Sequence, residues 1–226
     1  DAREMASFTA GLLDIDEKGV YVCSTGVIGH FLPMDKVRTG IADAVDQMDE
    51  NEGESAALAI QTTDTFVKKI AYEFELGGKK ARIAGIAKGA GMIHPNMATM
   101  LTFITTDAAI APDVLKRTVK AVADKSFNMV VVDGDTSTND SMIVLANGLA
   151  ENEIILSEEH PDYPVFFEAF LRAAQELAKM IAHDGEGATK FLEVNVIGAA
   201  SFADAKLAAM AIAKSPLVKA AFFCED

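Results

Sequence analysis

Apolar residues recur along this chain with two alternating periods, and the switches between the periods mark its elements. Ala6, Ala10 and Leu13 fall at helical spacing within residues 2–14, Gly19 interrupts them, and Val20-Tyr-Val-Cys-Ser24 predicts a buried strand. After Pro33, Val37, Ile41 and Val45 share one face of a helix predicted to run to about Met48. Strands are predicted at 66–76 and 81–87, turned by Gly77-Gly78, and again over Met100-Leu-Thr-Phe-Ile-Thr105. The second half continues the alternation with a helix over 112–127, strands at 129–132 and 141–147, a long helix over 163–182 and a strand over 190–197. Ser201-Phe-Ala-Asp204 has the spacing of a capping box and opens a last helix that stops before Pro216, while Pro112 suits a first helical turn. Acidic residues 150–162 read as a surface excursion. Without internal repeats, low-complexity tracts or flexible linkers, this mixture predicts α/β or α+β layers.

Composition narrows the class. A chain of 226 residues, half of them apolar, can bury a sizeable core. It contains no uncharged apolar run of the roughly 18–20 residues that a membrane span needs, and its first residues lack the basic-then-apolar pattern of a secretory signal. It starts at Asp1 and enters helical sequence at once, so both ends are expected to be cuts through a longer protein. Acidic residues outnumber basic ones 34 to 20, and the net charge of −14 repels phosphate backbones and anionic membranes. Neither nucleic acid nor a membrane is expected as a partner. Cys23 and Cys224, far apart in apolar surroundings, are expected to be buried reduced thiols of a cytoplasmic protein.

The chemistry concentrates in Lys88-Gly-Ala-Gly-Met-Ile-His-Pro-Asn-Met-Ala-Thr-Met-Leu101. A small residue, Ala98, directly precedes Thr99, behind a glycine-rich loop that carries one lysine and at the mouth of a strand-like run. Cleavage of the Ala98–Thr99 bond gives Thr99 a free α-amine beside its own hydroxyl, a nucleophile and a base in one residue. With an unperturbed pKa of about 7.7–8.0, that amine is suited to proton transfer near neutrality. A second segment, Cys23-Ser-Thr-Gly-Val-Ile-Gly29, offers the Thr25 hydroxyl and the Gly26 amide as two donors for a developing oxyanion.

These segments closely resemble the ornithine acetyltransferase family, also called the glutamate N-acetyltransferase or ArgJ family, which acts in arginine biosynthesis. The likeness rests on Ser24-Thr-Gly-Val-Ile-Gly29 with Pro33-Met-Asp-Lys36, on Thr62-Thr-Asp-Thr65, on Ala87 to Leu101, on Asp133-Gly-Asp-Thr-Ser-Thr-Asn-Asp140 and on Asp184-Gly-Glu-Gly-Ala-Thr-Lys190. It continues through Val196-Ile-Gly-Ala-Ala200 and Ser215-Pro-Leu-Val-Lys219 into Ala221-Phe-Phe223, in the family's order over nearly the whole chain. The resemblance implies a layered α/β sandwich and self-cleavage between Ala98 and Thr99, so that residues 1–98 end an α chain and 99–226 begin a β chain. It implies Thr99 as the nucleophile, Thr25 and Gly26 as the oxyanion pair, and Thr62, Lys88, Thr99 and Glu186 as substrate contacts, with Thr65 the alternative to Thr62. The implied reaction moves acetyl from N-acetyl-L-ornithine to L-glutamate through an acetyl-threonine ester, without metal or organic cofactor. Some members also take acetyl-coenzyme A as donor, and family habit is an α₂β₂ assembly. The resemblance further implies that an amino-terminal part, and a carboxy-terminal stretch completing the substrate pocket, lie outside these residues.

Two other readings stand beside it. Val130-Val-Val-Asp133-Gly-Asp135 begins like the strand and paired aspartates of a magnesium phosphohydrolase, or like a calcium loop whose sixth and twelfth positions are instead Thr138 and Val144. A turn whose side chains cap local backbone groups accounts for the same residues. The second reading is a non-catalytic homologue that binds amino acids or assembles with partners. His30, His94, His160 and His183 lack metal-ligand spacing, and none is assigned as a ligand.

Overall fold

The structure is a computed structural model that describes residues 1–94 and 100–225. Its chain divides into two compact units, residues 1–59 and 60–226. In the first, α1 (Ala2–Leu13) packs against α2 (Met34–Asp46), and Arg38 of α2 pairs with Glu4 of α1. A short α3 (Gly53–Ala59), which the apolar periodicity did not signal, ends the unit. The strand expected over 20–24 is not formed. This segment runs irregularly from a 3-10 turn at Glu17–Gly19 to α2, and its unit offers no strand to satisfy its amides.

The second unit is built on a four-stranded sheet in sequence order. Strands β1 (Lys68–Leu76) and β2 (Lys79–Lys88) form an antiparallel hairpin closed by Gly77 and Gly78, both with the positive φ that a two-residue primed turn requires. β3 (Leu101–Thr106) lies antiparallel to β2, and after α4 (Pro112–Asp124) the chain returns as β4 (Ser141–Ala146), parallel to β3. The long α5 (Tyr163–His183) packs across β1 and β2, with α4 against its flank. Phe166, Phe170, Ala173, Ala174, Leu177, Ala178 and Ile181 form its buried stripe and meet Leu76, Ile83 and Ile104 of the sheet. The chain then continues into α6 (Phe202–Lys214), capped by the Ser201 hydroxyl on the Asp204 amide, and α7 (Pro216–Cys224). The mixed sheet with its helices is an α/β fold of the class expected.

Three expectations need correction. Residues 129–132 are not a strand: a 3-10 turn over Phe127–Met129 leads into a bend, and Val130 is apolar because it is buried in the core. Residues 190–197 alternate but find no ladder partner among the described residues. Cys224 is exposed at the end of α7 and Cys23 is only half-buried, so the thiols are free but not core residues. The acidic excursion is also more tightly held than its composition suggests. Ile155 is fully buried and bridges to Ile110, and Asn152 accepts the Ala109 amide at 2.8 Å. Among the described residues no single helix is long and apolar enough to cross a membrane, although α6 and α7 reach that length as a pair bent by 59°.

Gly85 of β2 is what lets α5 approach the sheet. A Cβ there would lie 3.0 Å from both Ile104 Cγ1 and Leu177 Cδ1, inside van der Waals contact with two core side chains. Gly85→Ala is therefore expected to cost about 1–3 kcal/mol of stability, read as a lower urea midpoint with an unchanged slope.

Candidate active site

Three segments distant in sequence converge in the second unit: the turn Thr62-Thr-Asp-Thr65, the loop that leaves β2 at Lys88, and the glycine-flanked turn that follows α5. A buried cation joins them. Lys68, the first residue of β1, points inward with no exposed side-chain surface, and its ammonium donates to Asp64 Oδ1 and Asp184 Oδ2, each at 2.5 Å. It also lies 4.9 Å from the centre of the Phe66 ring. Asp64 further accepts the Gly89 amide at 2.8 Å and the Thr62 amide at 3.2 Å, while Asp184 accepts the Thr65 amide at 3.0 Å and the Thr65 hydroxyl. Burial opposes charge on Asp64. The Gly89 amide and Lys68 outweigh it and hold the carboxyl below its ordinary range. At Asp184 burial is likewise outweighed, by Lys68 and Thr65.

Around this triad stand the residues expected to touch substrate. Lys88 ends β2 almost wholly buried, and its ammonium donates to Thr62 Oγ1 at 3.2 Å. Burial pushes its pKa down, partly offset by the charge of Asp64. Thr65 has its hydroxyl committed to Asp184, so it is Thr62 that stands next to the lysine. Glu186 reaches the same loop: its amide donates to Ala90 O at 2.7 Å and its carboxylate accepts the Thr63 hydroxyl at 2.6 Å. Gly91 makes room for that carboxylate, because a Cβ there would sit 2.7 Å from Glu186 Oε2. Thr62, Lys88 and Glu186 are thus brought together. Thr25 and Gly26 lie in the irregular 20–33 segment of the first unit, the threonine half-buried and the glycine exposed. Ala98 and Thr99 lie outside the described residues.

The excursion between β2 and β3 is anchored at both ends. The register pairs Lys88 with Leu101, so the chain leaves and re-enters the sheet at one place. On the outgoing side Asp64 holds the Gly89 amide, and Asp133 accepts the amides of Met92 at 2.5 Å and Ile93 at 3.0 Å. This supports the left-handed backbone of Met92, at φ 55°. On the returning side Asp140 Oδ1 accepts the Met100 amide at 2.7 Å and Met100 O accepts the Ser141 amide at 2.9 Å. With Asp133 also accepting the Asp135 amide, the Asp133-Gly-Asp135 turn spends its first carboxylate on backbone groups. Among the described residues no cluster of three or more His, Cys, Asp or Glu is arranged to hold a metal ion. Burial lowers the pKa of His94, whose Nδ1 has no partner among the described residues.

Sequence reasoning did not single out Lys68, Asp64, Asp184 or Asp140. The aspartates lie inside blocks that carried the family resemblance, whereas Lys68 looked like an ordinary first residue of a strand. Lys68→Met is expected to destabilise the protein by about 3–5 kcal/mol at neutral pH, since it leaves buried carboxylates unpaired. Both aspartates have folded pKa values below their unfolded ones. The triad's contribution is therefore complete above about pH 4 and lost as pH falls through the folded values. Urea unfolding of parent and variant should give curves that differ most at pH 7 and converge in acid.

The sequence profile of the ArgJ family matches residues 1–226. The chain is 50% identical over its whole length to the arginine biosynthesis bifunctional protein ArgJ of Caldanaerobacter subterraneus subsp. tengcongensis, of which it covers 56%. It is 52% identical to the protein of the same name from Symbiobacterium thermophilum, again covering 56%. The crystal structure of arginine biosynthesis bifunctional protein ArgJ from Bacillus halodurans superposes with a TM-score of 0.51 at 49% identity, over 54% of this chain and 56% of that one. The chain spans about half the length of the curated relatives it matches. Full-length coverage by the family profile, with half of all residues identical in several relatives, leaves one assignment: the chain belongs to the ArgJ family.

Proposed function

We propose that the protein of which this chain is part is a self-processing N-terminal-threonine acyltransferase of arginine biosynthesis, moving acetyl from N-acetyl-L-ornithine to L-glutamate. The observation that carries this reading is Lys88. An ammonium taken almost wholly out of water, whose hydrogen-bond partner among the described residues is a single neutral hydroxyl, keeps donors to spare, and in this reading a substrate α-carboxylate accepts from them. Glu186, held against the same loop by its own amide and bonded by Thr63, receives the substrate ammonium in this reading. Both substrates carry these two groups. The name of the relatives, arginine biosynthesis bifunctional protein, agrees with this pathway.

In this scheme the Thr99 hydroxyl first attacks the Ala98 carbonyl and the carbon–nitrogen bond breaks, freeing the Thr99 α-amine; water then hydrolyses the resulting ester, which restores the hydroxyl and leaves Ala98 as a carboxylate. That amine then takes the hydroxyl proton as Oγ1 attacks the acetyl carbonyl of N-acetylornithine. The Thr25 hydroxyl and Gly26 amide donate to the oxyanion, each worth roughly 2.7–4 kcal/mol by analogy with other acyl-transfer sites. Collapse expels ornithine, which recovers the proton, and leaves an acetyl-threonine ester. The glutamate amine attacks that ester, and N-acetylglutamate departs. The two new chains assemble as α₂β₂ in the cytoplasm, and no metal or organic cofactor takes part.

Thr99→Ala in the full-length protein should run as one uncut chain on a denaturing gel where the parent gives two, and should lack acetyl transfer. Two bands from the variant would remove Thr99 from the reaction. Gly91→Ala displaces the Glu186 carboxylate, the far end of a flexible side chain, so the protein should fold and cleave normally. Its KM for N-acetylornithine should rise about tenfold or more, with kcat little changed, as steady-state kinetics would report.

A further inference from the structure

The block from Asp133 to Asp140 anchors both arms of the loop, but one oxygen of its last residue is unexplained. Asp140 immediately precedes β4. The parallel pairing of Leu101 with Ser141 therefore sets Asp140 beside Met100, where Oδ1 accepts the Met100 amide at 2.7 Å. Its other oxygen, Oδ2, is shut off from solvent and has no hydrogen-bond partner among the described residues. Such an oxygen keeps unused acceptor capacity where water cannot fill it, which is costly unless another donor arrives. Burial pushes the Asp140 carboxyl up to about 6, opposed by the Met100 amide and by Lys88, the charged group that faces it. Near neutral pH it remains mostly ionised. Covalent geometry supplies the donor: the Thr99 nitrogen is three bonds from the Met100 nitrogen, within about 3–4 Å of it in any conformation.

We propose that Asp140 is a positioning residue for the nucleophile: Oδ1 fixes the peptide link between Thr99 and Met100, and Oδ2 receives the Thr99 α-amino group once cleavage frees it. This rests on Thr99 being an N-terminal nucleophile. Before cleavage the Thr99 nitrogen is an amide whose delocalised lone pair cannot accept a proton. After cleavage it takes the hydroxyl proton as Oγ1 bonds to the acetyl carbon, and the ammonium so formed lies against the Asp140 carboxylate. When the carbon–nitrogen bond to ornithine breaks, the ammonium returns its proton to the leaving amine. Asp140 stays ionised throughout, orienting the base and favouring its charged form, as the aspartate of a Ser-His-Asp triad does for its histidine.

The test compares full-length parent, Asp140→Asn, Asp140→Glu and Thr99→Ala. Asparagine keeps an acceptor for the Met100 amide and puts a neutral amide group in place of Oδ2, so Asp140→Asn should still cleave itself and should not melt at a lower temperature. Its kcat should fall by at least about tenfold with KM for N-acetylornithine within about twofold. The acidic limb of its kcat/KM profile should move to lower pH, because an amine without a neighbouring carboxylate deprotonates more readily. Asp140→Glu keeps the charge at a changed distance and should lose turnover with the limb unmoved. A parental kcat in the asparagine variant, a fall in kcat with an unmoved limb, or failure to cleave would each overturn the proposal. Where the asparagine variant is insoluble, Asp140→Glu decides: reduced kcat with an unmoved limb supports the proposal, and parental kcat overturns it. Thr99→Ala separates the two levels, since a cut, active alanine variant defeats the nucleophile itself, whereas an uncut, inactive one beside a parental Asp140→Asn defeats only the role of Asp140.

Discussion

One buried ammonium governs the geometry of the second unit. Lys68 sits between Asp64 and Asp184 at 2.5 Å from each, and the segments that carry Thr62, Lys88 and Glu186 are each tied to one of those carboxylates. Asp64 carries the Thr62 turn and the start of the Lys88 loop, and Asp184 carries Thr65 and the turn that leads to Glu186. Burying three charges is expensive, and an apolar plug of equal volume would hold the core as well or better. An apolar plug cannot specify direction, however. Each carboxylate oxygen here accepts from a particular amide, hydroxyl or ammonium, so the triad fixes which backbone groups face one another, as a hydrophobic contact does not.

Elements with a strict period and local partners were legible in the sequence. The α5 stripe from Phe166 to Ile181 and the Gly77-Gly78 hairpin depend on residues within a few turns or strand positions of each other. Residues 129–132 and 190–197 were misread as strands because apolar or alternating character reports burial or a face, whereas a ladder needs a partner that the pattern does not reveal. Residues 20–24 failed for the same reason, in a unit made of helices. The site divided likewise. Lys88, Thr62 and Glu186 stood in glycine-rich or threonine-rich blocks specific enough to recognise, but Lys68 gave no sign, since its meaning comes from carboxylates 4 residues before it and 116 after it.

The acidity of the chain acquires a structural meaning from these contacts. Asp64, Asp133, Asp140 and Asp184 each accept backbone amides in loops, as does Asp162 on Gly77 at 3.0 Å. An ionised carboxylate is a stronger amide acceptor than a neutral side chain, and it pins a loop that has no ladder to hold it. Lys68 and Lys88 set two cations among these carboxylates, although the chain as a whole carries a net charge of −14.

These anchors also bear on what the proposed cleavage would leave standing. The outgoing arm is held by Asp64 at Gly89, by the Glu186 amide at Ala90 O and by Asp133 at Met92 and Ile93. The returning arm is held by Asp140 and Ser141 at Met100, and then by the ladders of β3 with β2 and β4. A cut at Ala98–Thr99 falls between the two sets, so none of these contacts spans it. What the intact bond contributes is closure of a short loop whose ends the Lys88–Leu101 pairing already brings together, and the entropy of that closure is small. Met100, the residue that follows Thr99, is held by a different carboxylate from those that hold the start of the loop, so the proposed cleavage leaves both arms anchored.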